Sequence, residues 1–170
     1  MGHSSTRRSV PGMAGLLRAA VEGVDNAPVI YLSNGPWNLL GPVSRFLSRH
    51  RFPPGALLMT DWGITPRRWF RDGRRHKASA LDRLATDFPR VRWILIGDDG
   101  EHDPEIYADF AATHPTHVSA IALRQVRSSK SHAKPPSSNE HADVPTVRGA
   151  NGDELLSRLM PWLRTHDRPR

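Results

Sequence analysis

The apolar residues of this chain alternate between two patterns along its length. Short continuous runs rich in Val, Ile, Leu and Ala predict buried strands, at residues 29–32, 56–60, 92–96, 117–123 and, over a shorter run, 144–147. Between them, apolar residues recur at intervals of three and four, which predicts helices, at residues 11–21, 74–88, 152–163 and from Pro42 and Asp103 onward. Asp103 is expected at the N-cap of its helix, with Pro104 at the first helical position.

Strands that alternate with helices, and that are apolar without interruption, are typical of an α/β fold. The parallel sheet of such a fold is covered by helices on both faces. A length of 170 residues suits a single domain, and the pattern assigns residues 10–163 to it. Three polar segments are expected outside its packed part, namely a disordered N-terminus at 1–9, a mobile Ser-, Lys- and Pro-rich loop at 127–142 and a basic tail at 164–170.

Composition narrows the classes of function. The chain has no cysteine, which excludes a disulfide scaffold, a thiol nucleophile and a Cys-ligated metal site. No apolar run approaches the ~20 residues of a transmembrane helix, and no apolar segment follows the first basic residues as in a secretory signal, so a cytoplasmic location is expected. The net charge of +7 suits anionic partners such as nucleic acid, acidic lipid or phosphate esters. It equally suits arginines spread over a solvated surface.

Glycine and polar residues directly follow three of the predicted strands. Ligands of parallel α/β sheets bind beyond the carboxyl ends of the strands. Position alone therefore selects three segments as parts of a candidate site: Ser33-Asn34-Gly35, Asp61-Trp62-Gly63 and Gly97-Asp98-Asp99.

Three carboxylates lie on the loop after the third of these strands. Asp98, Asp99 and Asp103 would repel one another unless a hard cation neutralised them. Mg²⁺ prefers one or two protein carboxylates together with waters and phosphate oxygens, so this loop is a predicted Mg²⁺ site. The alternative is ordinary turn chemistry, with Asp98 and Asp99 solvated and Asp103 capping the helix.

Phosphate-binding groups are predicted at two further places. Ser33, Asn34 and Gly35 can present a hydroxyl and backbone N–H groups to a phosphate, although the same residues also make an ordinary turn. Lys77 can stabilise charge on a transferring phosphoryl group. As one cation of a basic stretch, it can equally be a solvated surface residue.

Four segments of the chain occur in an order that is typical of one family. They are Ser33-Asn34-Gly35-Pro36-Trp37-Asn38-Leu39, Thr60-Asp61-Trp62-Gly63, His76-Lys77 and Ile96-Gly97-Asp98-Asp99-Gly100-Glu101-His102-Asp103-Pro104-Glu105-Ile106-Tyr107. The last is the most specific. With these segments the chain resembles the phosphatidate phosphatase catalytic domain family of the actin-patch-associated type, within the haloacid dehalogenase superfamily. The resemblance covers residues 9–126 and continues faintly over 147–159.

The resemblance implies a three-layer α/β/α, haloacid-dehalogenase-like fold and Mg²⁺-dependent hydrolysis of a phosphate monoester, with phosphatidate-like lipid as a substrate class. By position, Ser33 resembles the hydroxyl that hydrogen-bonds the transferring phosphoryl group, and Lys77 resembles the cation of the third motif. Asp98, with Asp99 or Asp103, resembles the acidic pair that holds Mg²⁺.

The first motif of that superfamily, Asp-x-Asp-x-Thr at the end of its first strand, has no counterpart here. Its first Asp is the nucleophile that forms an aspartyl-phosphate, and its second is the general acid and base. No two aspartates of this chain have that spacing, and the family has the motif upstream of the segment that matches residues 10–13. The resemblance therefore implies a truncated domain that is inactive as the sequence stands.

The missing strand has a structural consequence, because in the superfamily it lies centrally, between the strands that carry the second and fourth motifs. Its loss would leave on the order of ten backbone groups without partners, at about 1–3 kcal/mol each. That sum rivals the ~5–15 kcal/mol stability of a whole domain. Three arrangements would satisfy these groups: the two strands pair directly, another chain donates a strand, or the protein is longer than this sequence.

Three hypotheses about function follow. The chain is a truncated phosphatase, a non-catalytic module that binds Mg²⁺ and phosphate, or a basic protein that binds an anionic membrane surface or nucleic acid. For the third hypothesis, the sequence contains no recognised nucleic-acid-binding motif and no group of aromatic and basic residues on which bases could stack. If hydrolysis occurs without the missing motif, Asp61, which also follows a strand, is the first alternative nucleophile.

Overall fold

A computed structural model describes residues 8–60, 66–126 and 144–165, and gives only the backbone of residues 66–72 and 164–165. Two predicted segments lie outside the described residues altogether, the 127–142 loop and Asp61-Trp62-Gly63. The predicted disordered N-terminus and basic tail lie mostly outside them.

The observed elements alternate between helix and strand except that the last two strands are consecutive among the described elements, and this order confirms the α/β class. The helices are α1 (Met13–Val21), α2 (Leu40–Arg49), α3 (Pro66–Asp87), α4 (Asp103–Thr113) and α5 (Gly152–Thr165). The strands are β1 (Ile30–Pro36), β2 (Ala56–Thr60), β3 (Trp93–Asp98), β4 (Val118–Arg124) and β5 (Thr146–Gly149). Short 3₁₀ turns occupy Trp37–Leu39 and Pro115–His117.

Several element boundaries differ from those predicted, and three of the differences lie near the candidate site. β1 continues to Pro36, through residues expected to form a turn. α3 spans Pro66–Asp87 and therefore includes residues 66–73, which lie before the helix predicted from about residue 74. The predicted N-cap, Asp103, is the first residue of α4 instead, and His102 occupies the cap position without a side-chain capping bond.

The strands form two separate parallel sheets. β1 pairs with β2, and β3, β4 and β5 form a three-stranded sheet in that order. Direct pairing of β1 with β3, one of the arrangements expected for a domain without its first strand, does not occur in the described residues. Each of these two strands therefore has one edge without a strand partner there.

Helices cover both faces of the three-stranded sheet. The core on one face joins α3 and α4 to the strands, with buried side chains that include Leu81, Leu95, Ile106, Phe110 and Leu123. The core on the other face joins α1 and α5 to the strands, with buried side chains Leu16, Ala120, Ala122, Leu155 and Leu159. β4 supplies residues to both cores, as expected for a strand whose successive side chains point to opposite faces.

The two-stranded sheet shares the first of these cores. Ile30 and Leu32 of β1 pack against it, and α3 also packs on β1. The edges of β1 and β3 therefore belong to one packed body although they are not hydrogen-bonded to each other. No helix in the described ranges combines the length and hydrophobicity needed to span a membrane.

Candidate phosphate-binding site

β1 contains a bulge at the segment predicted to bind phosphate. Leu32 pairs with Leu58 of β2, and Pro36 pairs with Thr60. Between these two pairs, β1 advances by four residues while β2 advances by only two. Bulges near the ends of strands interrupt the ladder and redirect side chains, so the backbone of residues 33–35 leaves the regular pairing at the carboxyl end of the strand.

Hydrogen bonds to side chains hold this bulge in shape. The Gly35 N–H donates to Ser33 Oγ at 3.0 Å. The hydroxyl of Thr60, a buried residue, lies 3.2 Å from the carbonyl oxygen of Asn34 and 3.3 Å from that of Gly35. The predicted phosphate-binding residues therefore lie in a strand bulge that hydrogen bonds stabilise, and not in an ordinary turn.

Asn34 links the two sheets at the carboxyl ends of β1 and β3. Its Nδ2 donates to Glu101 Oε2, in the loop after β3, at 3.4 Å. Its Oδ1 is buried and has no hydrogen-bond partner among the described residues. α3 approaches at Gly73, where an added Cβ would lie 2.8 Å from Asn34 Nδ2, so a larger residue at this position would displace the amide.

Lys77 of α3 and Asp103 of α4 form a largely buried ion pair. Lys77 Nζ lies 2.5 Å from Asp103 Oδ1, and the two side chains are only 12% and 10% exposed. Glu101 Oε2 lies 3.7 Å from the same nitrogen, and Asp103 Oδ2 accepts the backbone N–H of Asp98 at 3.3 Å. Both oxygens of Asp103 are thus engaged, one by the ammonium group and one by the end of β3.

A small pocket, with room for about one water molecule, lies where these groups meet. Its lining comes from β1, α3, the loop after β3 and α4: Asn34, Arg74, Lys77, Glu101, His102, Asp103 and Ile106. Residues predicted for three different motifs, Asn34, Lys77 and Asp103, are therefore brought together.

Asp98 and Asp99 do not line this pocket. Asp98 Oδ1 accepts the Gly100 N–H at 2.9 Å, and Asp98 Oδ2 lies 3.3 Å from Arg124 Nη2. Asp99 Oδ1 accepts the Val126 N–H at 2.7 Å. Within the described ranges, no three His, Asp or Glu side chains converge as a set that could hold a metal ion. The Mg²⁺ role of Asp98, Asp99 and Asp103 stays a prediction.

Gly97 and Tyr107 pack directly against the carboxylate of Asp103. A Cβ on Gly97 would lie 2.5 Å from Asp103 Oδ2 and 2.8 Å from Tyr107 Cε2. The Tyr107 hydroxyl donates to the carbonyl oxygen of Ile96 at 3.2 Å. Burial, and then the charges of Asp103 and Asp98, raise the pKa of Tyr107 far above its ordinary value. The phenol therefore stays protonated and keeps donating to β3.

Sequence reasoning assigned no site role to three residues that shape this region, Thr60, Tyr107 and Arg124, although the first two lie in segments that resemble the family. Arg124 ends β4 at the same edge of the sheet, so the rule that selected the other strand ends could also have found it. The periodicity of α4 assigns Tyr107 only to an apolar face, and nothing local indicates its hydroxyl contact. Thr60 closes a predicted strand, but its contacts depend on the bulge in β1.

Known proteins match much of the length of this chain. The family described as phosphatidate phosphatase APP1, catalytic domain, matches residues 1–125. Phosphatidate phosphatase APP1 of Saccharomyces cerevisiae is 29% identical over 147 residues, which are 86% of this chain and 22% of that protein. An uncharacterized protein of Schizosaccharomyces pombe is 30% identical over 104 residues, 61% of this chain and 17% of that protein. The chain thus spans about a fifth of the length of these relatives, and no solved structure matches it.

Proposed function

Because this chain belongs to the phosphatidate phosphatase APP1 catalytic domain family, we propose that it carries the phosphate- and Mg²⁺-binding part of a haloacid-dehalogenase-like phosphatase domain. One observation carries the proposal: Asn34, Lys77 and Asp103, from three separate segments, converge on one pocket at the carboxyl ends of β1 and β3. The family suggests a phosphatidate-like lipid as the phosphate monoester.

The groups around the pocket suit a phosphate. An ammonium group has three N–H donors, and Asp103 and Glu101 occupy two directions around Lys77 Nζ, so one donor remains for a phosphate oxygen. Ser33 does not line the pocket, but on the adjoining bulge its hydroxyl accepts a bond from Gly35 and keeps its own proton for a second phosphate oxygen. The unpartnered Oδ1 of Asn34 suits an O–H donor from the monoester or from water.

The chemistry of the nearby carboxylates fits Mg²⁺. Asp98 and Asp99 offer hard oxygen ligands next to each other at the end of β3, and Mg²⁺ needs only one or two such ligands. Both oxygens of Asp98 and both of Asp103 already have protein partners. Asp103 is the weaker candidate because its side chain is only 10% exposed, whereas that of Asp98 is 36% exposed. A bound Mg²⁺ would polarise the phosphoryl group and offset its negative charge.

Hydrolysis further requires a nucleophile, and the Asp-x-Asp-x-Thr motif that supplies it in the superfamily has no counterpart in this sequence. An Asp-x-Asp-x-Thr strand between β1 and β3 would pair with the facing edges of these strands, which have no strand partner in the described ranges, and would bring its carboxylates to the pocket. The division of the sheet at this place supports the proposal that residues 1–170 bind phosphate and Mg²⁺ without hydrolysing the ester.

Isothermal titration with MgCl₂ and glycerol phosphate tests the binding part. The wild-type chain should bind the phosphate ester more tightly with Mg²⁺, and Asp98→Asn should lose this dependence. Asp87→Asn, which removes an exposed carboxylate paired with Arg83 of the same helix, is the matched control and should bind like wild type. Equal heats for wild type and Asp98→Asn would overturn the assignment.

Phosphate release from phosphatidate in detergent micelles tests the catalytic part. We expect no Mg²⁺-dependent release above that of a Lys77→Ala/Asp98→Ala double variant. Appending the segment of the Saccharomyces cerevisiae relative that precedes the matched region should restore release. Release by the unextended chain would contradict the proposal and make Asp61→Asn the next variant to assay. Binding without restored release would favour a non-catalytic module.

A further inference from the structure

The turn that follows β1 exposes three large apolar side chains within four residues. Trp37 is 63% exposed, Leu39 44% and Leu40 46%. Trp37 and Leu39 belong to the 3₁₀ turn, and Leu40 begins α2. Because a 3₁₀ helix has about three residues per turn, Trp37 and Leu40 lie on the same side. We call these three residues the apolar turn. Clustered apolar exposure of this kind marks an interaction site.

Cationic groups flank the apolar turn, and anionic ones are missing nearby in the sequence. Residues 26–60 contain Arg45, Arg49, His50 and Arg51 but no Asp or Glu. The guanidinium of Arg45 folds back over the first turn of α2, since its Nη1 lies 3.4 Å from where a Cβ on Gly41 would be. In the described part of the chain, neither Arg45 nor Arg49 forms an ion pair. The surface is therefore both apolar and positively charged.

Charge and shape together indicate the occupant. An exposed Trp with leucines, bordered by unpaired arginines, is the composition of segments that lie in the interface of an anionic membrane. The more inward apolar residues of α2, Phe46 among them, are already half-buried, and Phe46 packs on His50 and Phe52. What remains exposed is a single turn, which is too short to form a groove for a partner helix.

We propose that the apolar turn inserts into the interface of an anionic phospholipid bilayer, with Arg45 and Arg49 contacting lipid headgroups. The turn follows the Ser33–Gly35 bulge directly, so docking would bring the carboxyl ends of the strands to the lipid surface. This inference goes beyond the proposed phosphatase function, because insertion needs neither Mg²⁺ nor a phosphate monoester.

Co-sedimentation with vesicles tests the proposal. The wild-type chain should bind vesicles of equal parts phosphatidylcholine and phosphatidylserine, and bind phosphatidylcholine alone much more weakly. Trp37→Ala/Leu40→Ala should weaken binding at least about tenfold. Trp162→Ala removes an indole that is 43% exposed on α5 and should bind like wild type. Circular dichroism should show that all variants are folded.

Arginine variants test the electrostatic part. Arg45→Gln and Arg49→Gln should each weaken binding to the phosphatidylserine vesicles about fivefold and should reduce its salt dependence. Arg90→Gln, at an exposed arginine between α3 and β3, should change neither. Unchanged binding in the Arg45 and Arg49 variants would overturn the contribution of the headgroups.

Two further outcomes would overturn the inference. One is unchanged vesicle binding by folded Trp37→Ala/Leu40→Ala. The other is a dimer in analytical ultracentrifugation that this variant abolishes, with no vesicle binding by wild type, which would make the apolar turn a contact between copies of the chain. Asp98→Asn keeps the two proposals separate. It should lose Mg²⁺-dependent ester binding if the proposed function is right, yet still bind phosphatidylserine vesicles.

Discussion

At the scale of single residues, the buried pair of Lys77 and Asp103 sets the charge of the candidate site. Each group is costly to desolvate alone and is tolerated because the other compensates it. The pair connects the helices α3 and α4, and its two residues are 26 positions apart in the sequence. It therefore fixes the ammonium group beside the pocket as well as linking the two elements.

Removing one partner of this pair should destabilise the protein strongly. Lys77→Met leaves the Asp103 carboxylate buried without its cation, and we expect the free energy of unfolding to fall by about 3 kcal/mol. Lys77→Met/Asp103→Leu should recover much of that loss, because neither charge remains. Urea denaturation at neutral pH of the wild type, Lys77→Met, Asp103→Leu and the double variant completes the cycle.

The exposed Arg83–Asp87 pair of α3 is the matched control. Its side chains are 82% and 51% exposed, and a double-mutant cycle there should give a coupling of only about 0.3–0.5 kcal/mol. If the changes in the free energy of unfolding caused by the Lys77 and Asp103 substitutions were additive, the two side chains would not be coupled, which would contradict the buried ion pair.

Tyr107 should make stability depend on pH in the alkaline range. Its folded-state pKa is raised by burial and by the nearby carboxylates of Asp103 and Asp98, so the folded protein keeps a proton that the unfolded chain releases above pH ~10. The free energy of unfolding therefore falls as pH rises through this range. Tyr107→Phe should show a shallower fall, and at neutral pH should lose about 1 kcal/mol with the bond to Ile96.

Denaturant melts between pH 8 and pH 11, which span the tyrosine range, provide the measurement. Tyr31→Phe is the comparison. Burial alone raises the pKa of Tyr31, without a contribution from a carboxylate, so this variant should flatten the pH profile less than Tyr107→Phe does. A Tyr107→Phe profile that ran parallel to wild type would contradict the assigned shift.

At the scale of elements, the site depends on how closely β3 and α4 approach each other. Gly97 permits this approach, since a side chain there would collide with both Asp103 and Tyr107. Both residues are buried, and neither can move away without losing its own partner. A bulge plays the corresponding role on β1, where it directs Asn34 toward the loop after β3.

Gly97→Ala should therefore destabilise the protein by about 1–3 kcal/mol, as overpacking does elsewhere, and should weaken ester binding. Gly15→Ala is the matched substitution with the opposite sign. A Cβ at Gly15, in α1, meets nothing within 4 Å, and alanine in a helix should stabilise by about 0.5–1 kcal/mol. Thermal melts of both variants are the measurement, and equal effects would refute the steric argument.

At the scale of the whole molecule, stability is distributed unevenly between the two sheets. β4 has strand neighbours on both edges and buried residues on both faces. β1 has one strand neighbour among the described residues, and only Pro36 at its end is buried. Two-stranded sheets are marginal by themselves, so the β1–β2 unit depends on α3 and the shared core.

Native-state hydrogen exchange should reveal this difference. Amides of residues 120–122 in β4 should exchange about a hundredfold more slowly than those of residues 30–32 in β1, because β1 opens without global unfolding. Equal protection would mean that both sheets unfold as one cooperative unit. In the extended protein proposed above, a strand between β1 and β3 should raise the protection of β1 far more than that of β4.

Local patterns in the sequence determined the elements, the α/β class and the segments that border the site. Continuous apolar runs identify β2 and β4 nearly to the residue, and glycine and acidic residues mark the end of β3. Such signals are local, and each can be recognised within a few neighbouring residues. The motif order also identified the family from the sequence.

Only the tertiary structure decided which residues act on one another. The pairing of Asp103 with Lys77, the bulge that carries Asn34 and the Arg124 contact of Asp98 join segments far apart in the chain. The residues next to Asp103 predict that it caps a helix, because none of them indicates that Lys77, 26 residues away, is its partner. The separation of β1 from β3 into two sheets also follows from the tertiary structure, since strand pairing depends on residues far apart in the sequence and no local pattern encodes it.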